Sequence, residues 1–320
     1  MKKFYFFSLL FSLSNLSLAQ VKIGNTNYAT LRAAFNAINA GTYVNQNIVI
    51  LVTGNTIETQ ECQINHFTPS YQSITIKPSG TGSRTILFNT NVSSTTENTL
   101  FFNAAHDITI DGMNQLGIVC LSNRKTIYFS STRDVTVKNC KILGNGANGA
   151  VLYVEAGALD TAENYTIKNC EIGPYTPNAI PAVCLAIVYT FANESTYLIR
   201  DVVVEDNIIH DFANPNGEAC GIMVSGAART IRINNNRIYQ SMQRLSRGVT
   251  AIALSDINIW QDFVPEISNN KIGGHAAPIG TSSITYEGCS SYTGISYFQN
   301  AASNQTDDMI KIEGNSIKDI

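Results

Sequence analysis

From Val135 to Ile142 the chain reads Val-Thr-Val-Lys-Asn-Cys-Lys-Ile, and from Tyr165 to Ile172 it reads Tyr-Thr-Ile-Lys-Asn-Cys-Glu-Ile. Two alternating β-formers, a polar pair and one more apolar residue make a phrase that returns four more times. The later copies are Val202-x-Val204-x-Asp206-Asn207-x-Ile209, Ile231-x-Ile233-x-Asn235-Asn236-x-Ile238, Ile267-x-Asn269-Asn270-x-Ile272 and Ile310-x-Ile312-x-Gly314-Asn315-x-Ile317. Weaker relatives stand upstream at Ile74-Thr75-Ile76 and Ile108-Thr109-Ile110-Asp111-Gly112. The second polar position advances by 30, 37, 29, 34 and 45 residues, which is too irregular for a propeller blade and suits stacked repeats with loops of unequal length. A second strand-like run follows each of the first five phrases, at 149–154, 182–189, 221–225, 251–255 and 294–298. Each repeat therefore supplies at least two short strands separated by polar turns.

One such repeat cannot bury its apolar side alone, whereas stacking repeats about 4.8 Å apart pairs every strand with neighbours on both sides. An all-β parallel β-helix is the expected fold. Side chains in the same register then lie above one another, so an Asn at a turn can pass an amide hydrogen bond along its column. Asn207, Asn236, Asn270 and Asn315 are assigned to that ladder, with Cys140 and Cys170 at the same position in two successive repeats.

The first residues read as an export signal. Lys2 and Lys3 precede an apolar run from Phe4 to Leu13, and Ser17-Leu18-Ala19 supplies the small residues a signal peptidase reads. Residues 1–19 are the expected signal peptide, with cleavage before Gln20. The run is shorter than the roughly 20 residues a membrane span needs, and no later stretch approaches that length, so no membrane span is expected. Without Lys2 and Lys3 the chain has 19 basic and 24 acidic residues, a net charge of −5. That is no footprint for nucleic acid. The seven Cys are odd in number and contain no CxxC pair, so they read as small buried hydrophobes rather than as a zinc site or a disulfide framework.

Residues 20–73 are assigned to an N-terminal cap and first strands, and 74–320 to the repeats. Within the cap, Leu31, Ala34, Phe35 and Ile38 fall on one face of a short helix, after Thr30 as N-cap and before Gly41 beyond its end. Such a helix covers an open strand edge that would otherwise template aggregation. No comparable cover follows the last phrase before Asp319-Ile320, so the repeats are expected to continue in a longer chain.

The Asn-Asn-x-Ile phrases resemble the pectate-lyase-like superfamily of right-handed parallel β-helices. The stretch from Tyr28 to Gly41, followed by Ile74-Thr75-Ile76-Lys77-Pro78 and Ile108-Thr109-Ile110-Asp111-Gly112, resembles exported β-helix proteins of Bacteroidota that often end in a type IX secretion sorting domain. The resemblance implies a right-handed solenoid, secreted or displayed at the cell surface. It leaves activity open, because that superfamily holds lyases, hydrolases, esterases and adhesins alike.

Enzymes on this fold place carboxylates with Arg or Lys on one outer sheet face, where paired acids or a Ca²⁺-assisted base reach a sugar acid. With Ile222, Val224, Ile252, Leu254, Ile295 and Tyr297 inward, the outward residues include Met223, Ala253 and Ser296, and none is ionisable. A Gly-His-Gly phrase is replaced by Gly274-His275-Ala276, and no Pro has Arg two places before it. Three residues remain as catalytic candidates: His210, Asp211 and Glu218. Adjacent residues after a strand ordinarily sit on opposite sides in water, which weighs against the first two as an acid/base pair. Asp160 with Glu163, and Asp307 with Asp308, read as solvated turn acids before they read as Ca²⁺ ligands. Tyr239, Arg244 and Trp260, with Arg247 and Tyr292, are candidate contacts for a glycan. The expected function is thus a structural or adhesive exported β-helix that contacts extracellular polysaccharide or a cell-surface glycan, without cofactor or metal. The alternative is a polysaccharide lyase or glycoside hydrolase with a diverged site, and only there does Ca²⁺ enter.

Overall fold

Alternating β-branched residues become strands with one edge of side chains turned inward. The protein is described by a computed structural model over residues 20–65, 71–89, 99–146, 150–156, 162–189, 199–226, 228–241, 246–255, 264–273, 291–298 and 310–318. Arg133–Leu143 carries the first phrase as one strand. The next two phrases are broken at their polar pair, into Ala162–Lys168 and Glu171–Gly173, then Ile199–Glu205 and Ile208–His210. Parallel pairing sets Val137 between Ile110 and Ile167, and the row continues through Val204 and Ile233 to Ile267. Past the polar pair a second row runs from Ile118 through Ile142, Ile172, Ile209 and Ile238 to Ile272. Both rows are buried.

Among the described residues these segments belong to an 18-stranded sheet. The strand-like runs that follow the phrases lie in a separate sheet, parallel throughout and eight-stranded among the described residues, from Cys62–Asn65 to Ser291–Phe298. Its inward row is Ile64, Phe102, Phe129, Val154, Ile187, Val224 and Leu254, and it joins the rows of the long sheet in one hydrophobic core. Tyr297 keeps the register of Leu254 but is 37% exposed, because it sits on the last described strand of its sheet. An almost wholly β chain with long parallel sheets in stacked register is compatible with a parallel β-helix.

The first polar residue of each phrase has its own cause. Asn139, Asn169, Asp206, Asn235 and Asn269 all hold φ between 52° and 57°, and Gly314 holds 64°. Such a left-handed corner suits Asn, Asp and Gly, whose side chains tolerate it.

The helix Leu31–Asn39 begins at Thr30, whose Oγ1 accepts from Ala33 N at 3.1 Å. It ends where Gly41 N donates to Ile38 O and Thr42 N to Ala37 O, with Gly41 at φ 83°. Leu31, Ala34, Phe35 and Ile38 are buried, and the Phe35 ring meets that of Phe102 at 5.9 Å. A carboxylate anchors the other end of this helix: Glu58, only 1% exposed, accepts from Leu31 N at 2.7 Å and Arg32 N at 3.3 Å. Free N–H groups of a first helical turn suit a buried anion there. Among the described residues no helix is long and apolar enough to cross a membrane.

Candidate functional site

At the turn, the side-chain column is continuous. Asn207 Oδ1 accepts from Cys170 N at 2.9 Å, and Asn207 Nδ2 donates to Ile167 O at 2.9 Å and to Asn236 Oδ1 at 3.0 Å. Asn236 repeats this toward Val204 O and Asn270 Oδ1, and Asn270 toward Ile233 O and Asn315 Oδ1, at 2.8–3.0 Å. Asn207, Asn236 and Asn270 are buried. Cys140 and Cys170 extend the column with sulfur, their Sγ atoms 3.1 Å from Lys138 O and 3.3 Å from Lys168 O. Contact with the Cys170 sulfur and burial together push the Cys140 thiol well above its ordinary range.

Of the residues singled out for chemistry, His210 and Asp211 are brought together. Asp211 takes φ 58°, which turns its carboxylate back to the ring it follows, so the pair is not split between opposite sides. His210 Nδ1 lies 2.9 Å from Asp211 Oδ2, and Nε2 lies 3.5 Å from Glu171 Oε1. Lys141 Nζ holds the other Glu171 oxygen at 3.0 Å, while Ser241 donates to Asp211 through its N at 2.7 Å and through Oγ. Gly173 leaves room for the imidazole, since a Cβ there would meet the ring at 2.9 Å. Burial alone would lower the His210 pKa, but the two carboxylates outweigh it and raise it to about 9. Burial likewise opposes ionisation of Asp211, yet hydrogen bonds from His210 and Ser241 hold its carboxyl below the usual range. For Glu171 the His210 contact dominates, followed by burial acting the other way and by Lys141, and the net shift is downward. His210 is thus an imidazolium with both nitrogens engaged, a cross-brace between strands and a poor general base.

Glu218 does not join this cluster: it opens Glu218–Ser225 in the short sheet, exposed, beside Gly248. Tyr239 stacks on His210 at 5.5 Å and 12°, with the Arg237 guanidinium 4.9 Å from its ring centre. Its ring is already engaged by protein. Arg244 and Trp260 lie outside the described residues, as do residues 1–19, Asp160, His275, Cys289, Asp307 and Asp308. Arg247 is exposed, Tyr292 packs against the core, and Glu163 sits in register between Arg133 and Arg200. Among the described residues no group of three or more His, Cys, Asp or Glu could hold a metal ion.

A feature that sequence reasoning missed stands on the outer face of the short sheet. Phe101, Tyr128 and Tyr153 are in register on three adjacent strands. The first two rings stack at 4.8 Å and 6°, and Tyr153 meets Tyr128 edge-on at 5.5 Å and 67°. Lys125 Nζ sits 4.1 Å from the centres of both tyrosine rings. Two strand positions on, Asn65, Asn103, Ser130 and Glu155 form a polar row, and Glu155 accepts from the Tyr128 hydroxyl. Burial, with this carboxylate adding to it, raises the pKa of Tyr128 and moves that of Tyr153 to about 12. All three aromatic side chains and Lys125 keep part of their surface in solvent. The signal was present in Leu-Phe-Phe-Asn, Ile-Tyr-Phe-Ser and Leu-Tyr-Val-Glu, where the second position is aromatic at a constant offset. The outward positions legible from the later runs, Met223, Ala253 and Ser296, begin two strands beyond Tyr153 in the same row. Comparison of the chain with family models, curated proteins and solved structures finds no match to any of them.

Proposed function

We propose that the chain is exported, loses residues 1–19, and folds as a closed right-handed parallel β-helix with a structural or adhesive role outside the cell, holding glycans on its outer aromatic row. Parallel strands joined by crossovers favour the right hand. The observation that carries the reading is the line of Phe101, Tyr128 and Tyr153 with Lys125 across two of the rings. Phe101 and Tyr128 face one another and Lys125 lies over the two tyrosine rings, so the surface offered to the C–H groups of a sugar is the row of exposed ring edges, with the adjoining Lys125, Glu155 and amide side chains serving its hydroxyls. The alternative, a polysaccharide lyase or glycoside hydrolase, draws on His210, Asp211 and Glu171, whose proton-carrying atoms are already paired with one another.

The test is a glycan panel titrated against the mature chain from Gln20 and against the variants Tyr128→Ala and Tyr153→Ala. Binding by the parent chain that falls roughly tenfold or more in each variant, equivalent to about 1.4 kcal/mol, supports the reading. Unchanged affinity in both variants removes the aromatic row from it. Product formation that disappears in His210→Ala would favour the enzyme alternative instead.

A further inference from the structure

Cys140 and Cys170 stand in register on neighbouring repeats, because Lys138 pairs with Lys168 just before them and Lys141 with Glu171 just after. Strands in such a stack lie about 4.8 Å apart, so side chains at one register point the same way at that spacing. A disulfide requires sulfurs about 2.05 Å apart and a dihedral of about 90° across them, which two parallel thiols do not offer. Each Sγ instead turns to the carbonyl two residues before it, Lys138 O at 3.1 Å and Lys168 O at 3.3 Å.

A bulge adjoins the pair. Pairing passes from Asp111 and Lys138 directly to Leu116 and Cys140, so residues 112–115 oppose Asn139 alone. A Cβ on Gly112 would meet Asn139 O at 2.2 Å, so only glycine lets the chain turn there, and its backbone hydrogen-bonds the Cys140 sulfur. Contact with the Cys170 sulfur, and then burial, nonetheless raise the Cys140 thiol. Cys170 moves the other way: contact with Cys140 lowers it, burial opposes this, and backbone hydrogen bonds at Cys140, Lys168 and Asn139 add to the lowering. The two therefore titrate as one unit whose first proton leaves more easily than its second. Cys140 is 3% and Cys170 2% exposed, and both line a groove of about 500 Å³ that runs across the long sheet. That opening suits a bare ion and excludes a bulky reagent.

We infer that the stacked thiols of Cys140 and Cys170 bind one soft monovalent cation, Cu(I) or Ag(I), in two-coordinate form. Both S–H bonds break, two protons leave to water and two sulfur–metal bonds form, giving a bis-thiolate with one net negative charge and no change of oxidation state. Thiolate is the ligand that selects soft cations. Metal–thiolate bonds of the length zinc makes, about 2.3 Å, set the two sulfurs about 4.6 Å apart across a linear centre, close to the spacing of the strands. Zinc itself is ruled out by count. It takes four ligands, and among the described residues no group of three or more His, Cys, Asp or Glu is placed to hold a metal.

The site is independent of the aromatic row. Its test titrates the mature chain, reduced and without oxygen, with Cu(I), with Ag(I) and with Zn(II) against a chromophoric competing chelator. The variants are Cys140→Asn and Cys170→Asn, because later repeats hold Asn at this place in the column, with Cys140→Ser and Cys170→Ser at nearly unchanged size. Cys184→Ser, at a buried thiol of the short sheet, is the control, and thermal unfolding shows which variants keep the fold. The expected result is one Cu(I) or Ag(I) held by the parent chain and by Cys184→Ser, with affinity at least roughly tenfold weaker in every folded variant of Cys140 or Cys170. Unchanged affinity in those variants overturns the inference, as does loss confined to Cys184→Ser, tighter binding of Zn(II), or no uptake by the parent chain. A Cys140–Cys170 disulfide found by mass spectrometry in the exported protein overturns it too, since it leaves no thiol to bind the ion.

Discussion

Asn236 donates through Nδ2 to both Val204 O and Asn270 Oδ1, while its own Oδ1 accepts from Asn207 N and Nδ2. Replacing it by Leu leaves buried groups on the two neighbouring repeats short of a partner, and the expected loss is about 1–3 kcal/mol in urea unfolding. Asn216 is an exposed loop residue whose backbone N donates to Asn214 Oδ1, and Asn216→Leu should cost far less. Equal losses would mean that the column contributes nothing. The His210 cluster makes a pH-dependent prediction. Its folded pKa, about 9, lies above that of free imidazole, so its stabilisation is full below about pH 6.5 and fades as pH rises through the folded value. Asp211 and Glu171 are shifted down, so their share is present above the ordinary carboxylate range and is lost in acid. The Tm gap between the parent and His210→Gln should therefore be widest near pH 6 and shrink by about pH 9.5. A gap constant over that span would contradict the charge network. The asparagines were legible because their offset in the phrase never varies. The His210 cluster was not, since Asp211 reaches the ring only through its left-handed φ and Glu171 arrives from another repeat.

The capping helix joins local and distant signals. Thr30, the apolar face and Gly41 were all readable in sequence because N-cap, amphipathic and C-terminal preferences act within a few residues. Glu58 was not readable, since it lies on the strand Thr56–Glu58 and meets the helix only after the strands have stacked. Glu58→Ala should expose this difference: the N–H groups of Leu31 and Arg32 lose their acceptor in a buried setting, at about 1–3 kcal/mol. Thr30→Ala, at the partly exposed N-cap, should cost about 1 kcal/mol. Thermal unfolding that ranks Thr30→Ala as the more damaging change would show that the carboxylate is dispensable to the helix. The aromatic row was lost to sequence reasoning for the opposite reason. Each of its members is an ordinary strand residue, and only the pairing of Phe101, Tyr128 and Tyr153 makes them a surface.

For the molecule as a whole, stability is spread along the stack, because each repeat packs mainly on the two beside it. The fold class was legible at this scale because six phrases state the same register. The bulge at Gly112–Gln115 was hidden, since four residues opposing one is a property of the pairing and not of either strand. The repeated corner also makes the chain editable. Asp206 and Asn235 hold φ of 57° and 56°, and each is followed by a ladder asparagine, so the backbone enters and leaves both corners in the same way. Excising residues 207–235 would join Asp206 to Asn236 without changing the direction of the chain. Arg237 would then fall beside Glu171, in the place Ile208 now holds between them. The shortened protein should fold cooperatively with one rung fewer and without the His210 cross-brace. A molten product, with strand content but no sharp thermal transition, would show that the corners are not interchangeable. If they are, length in this molecule is a quantity that can be dialled by splicing at the corner, independently of what the outer faces carry.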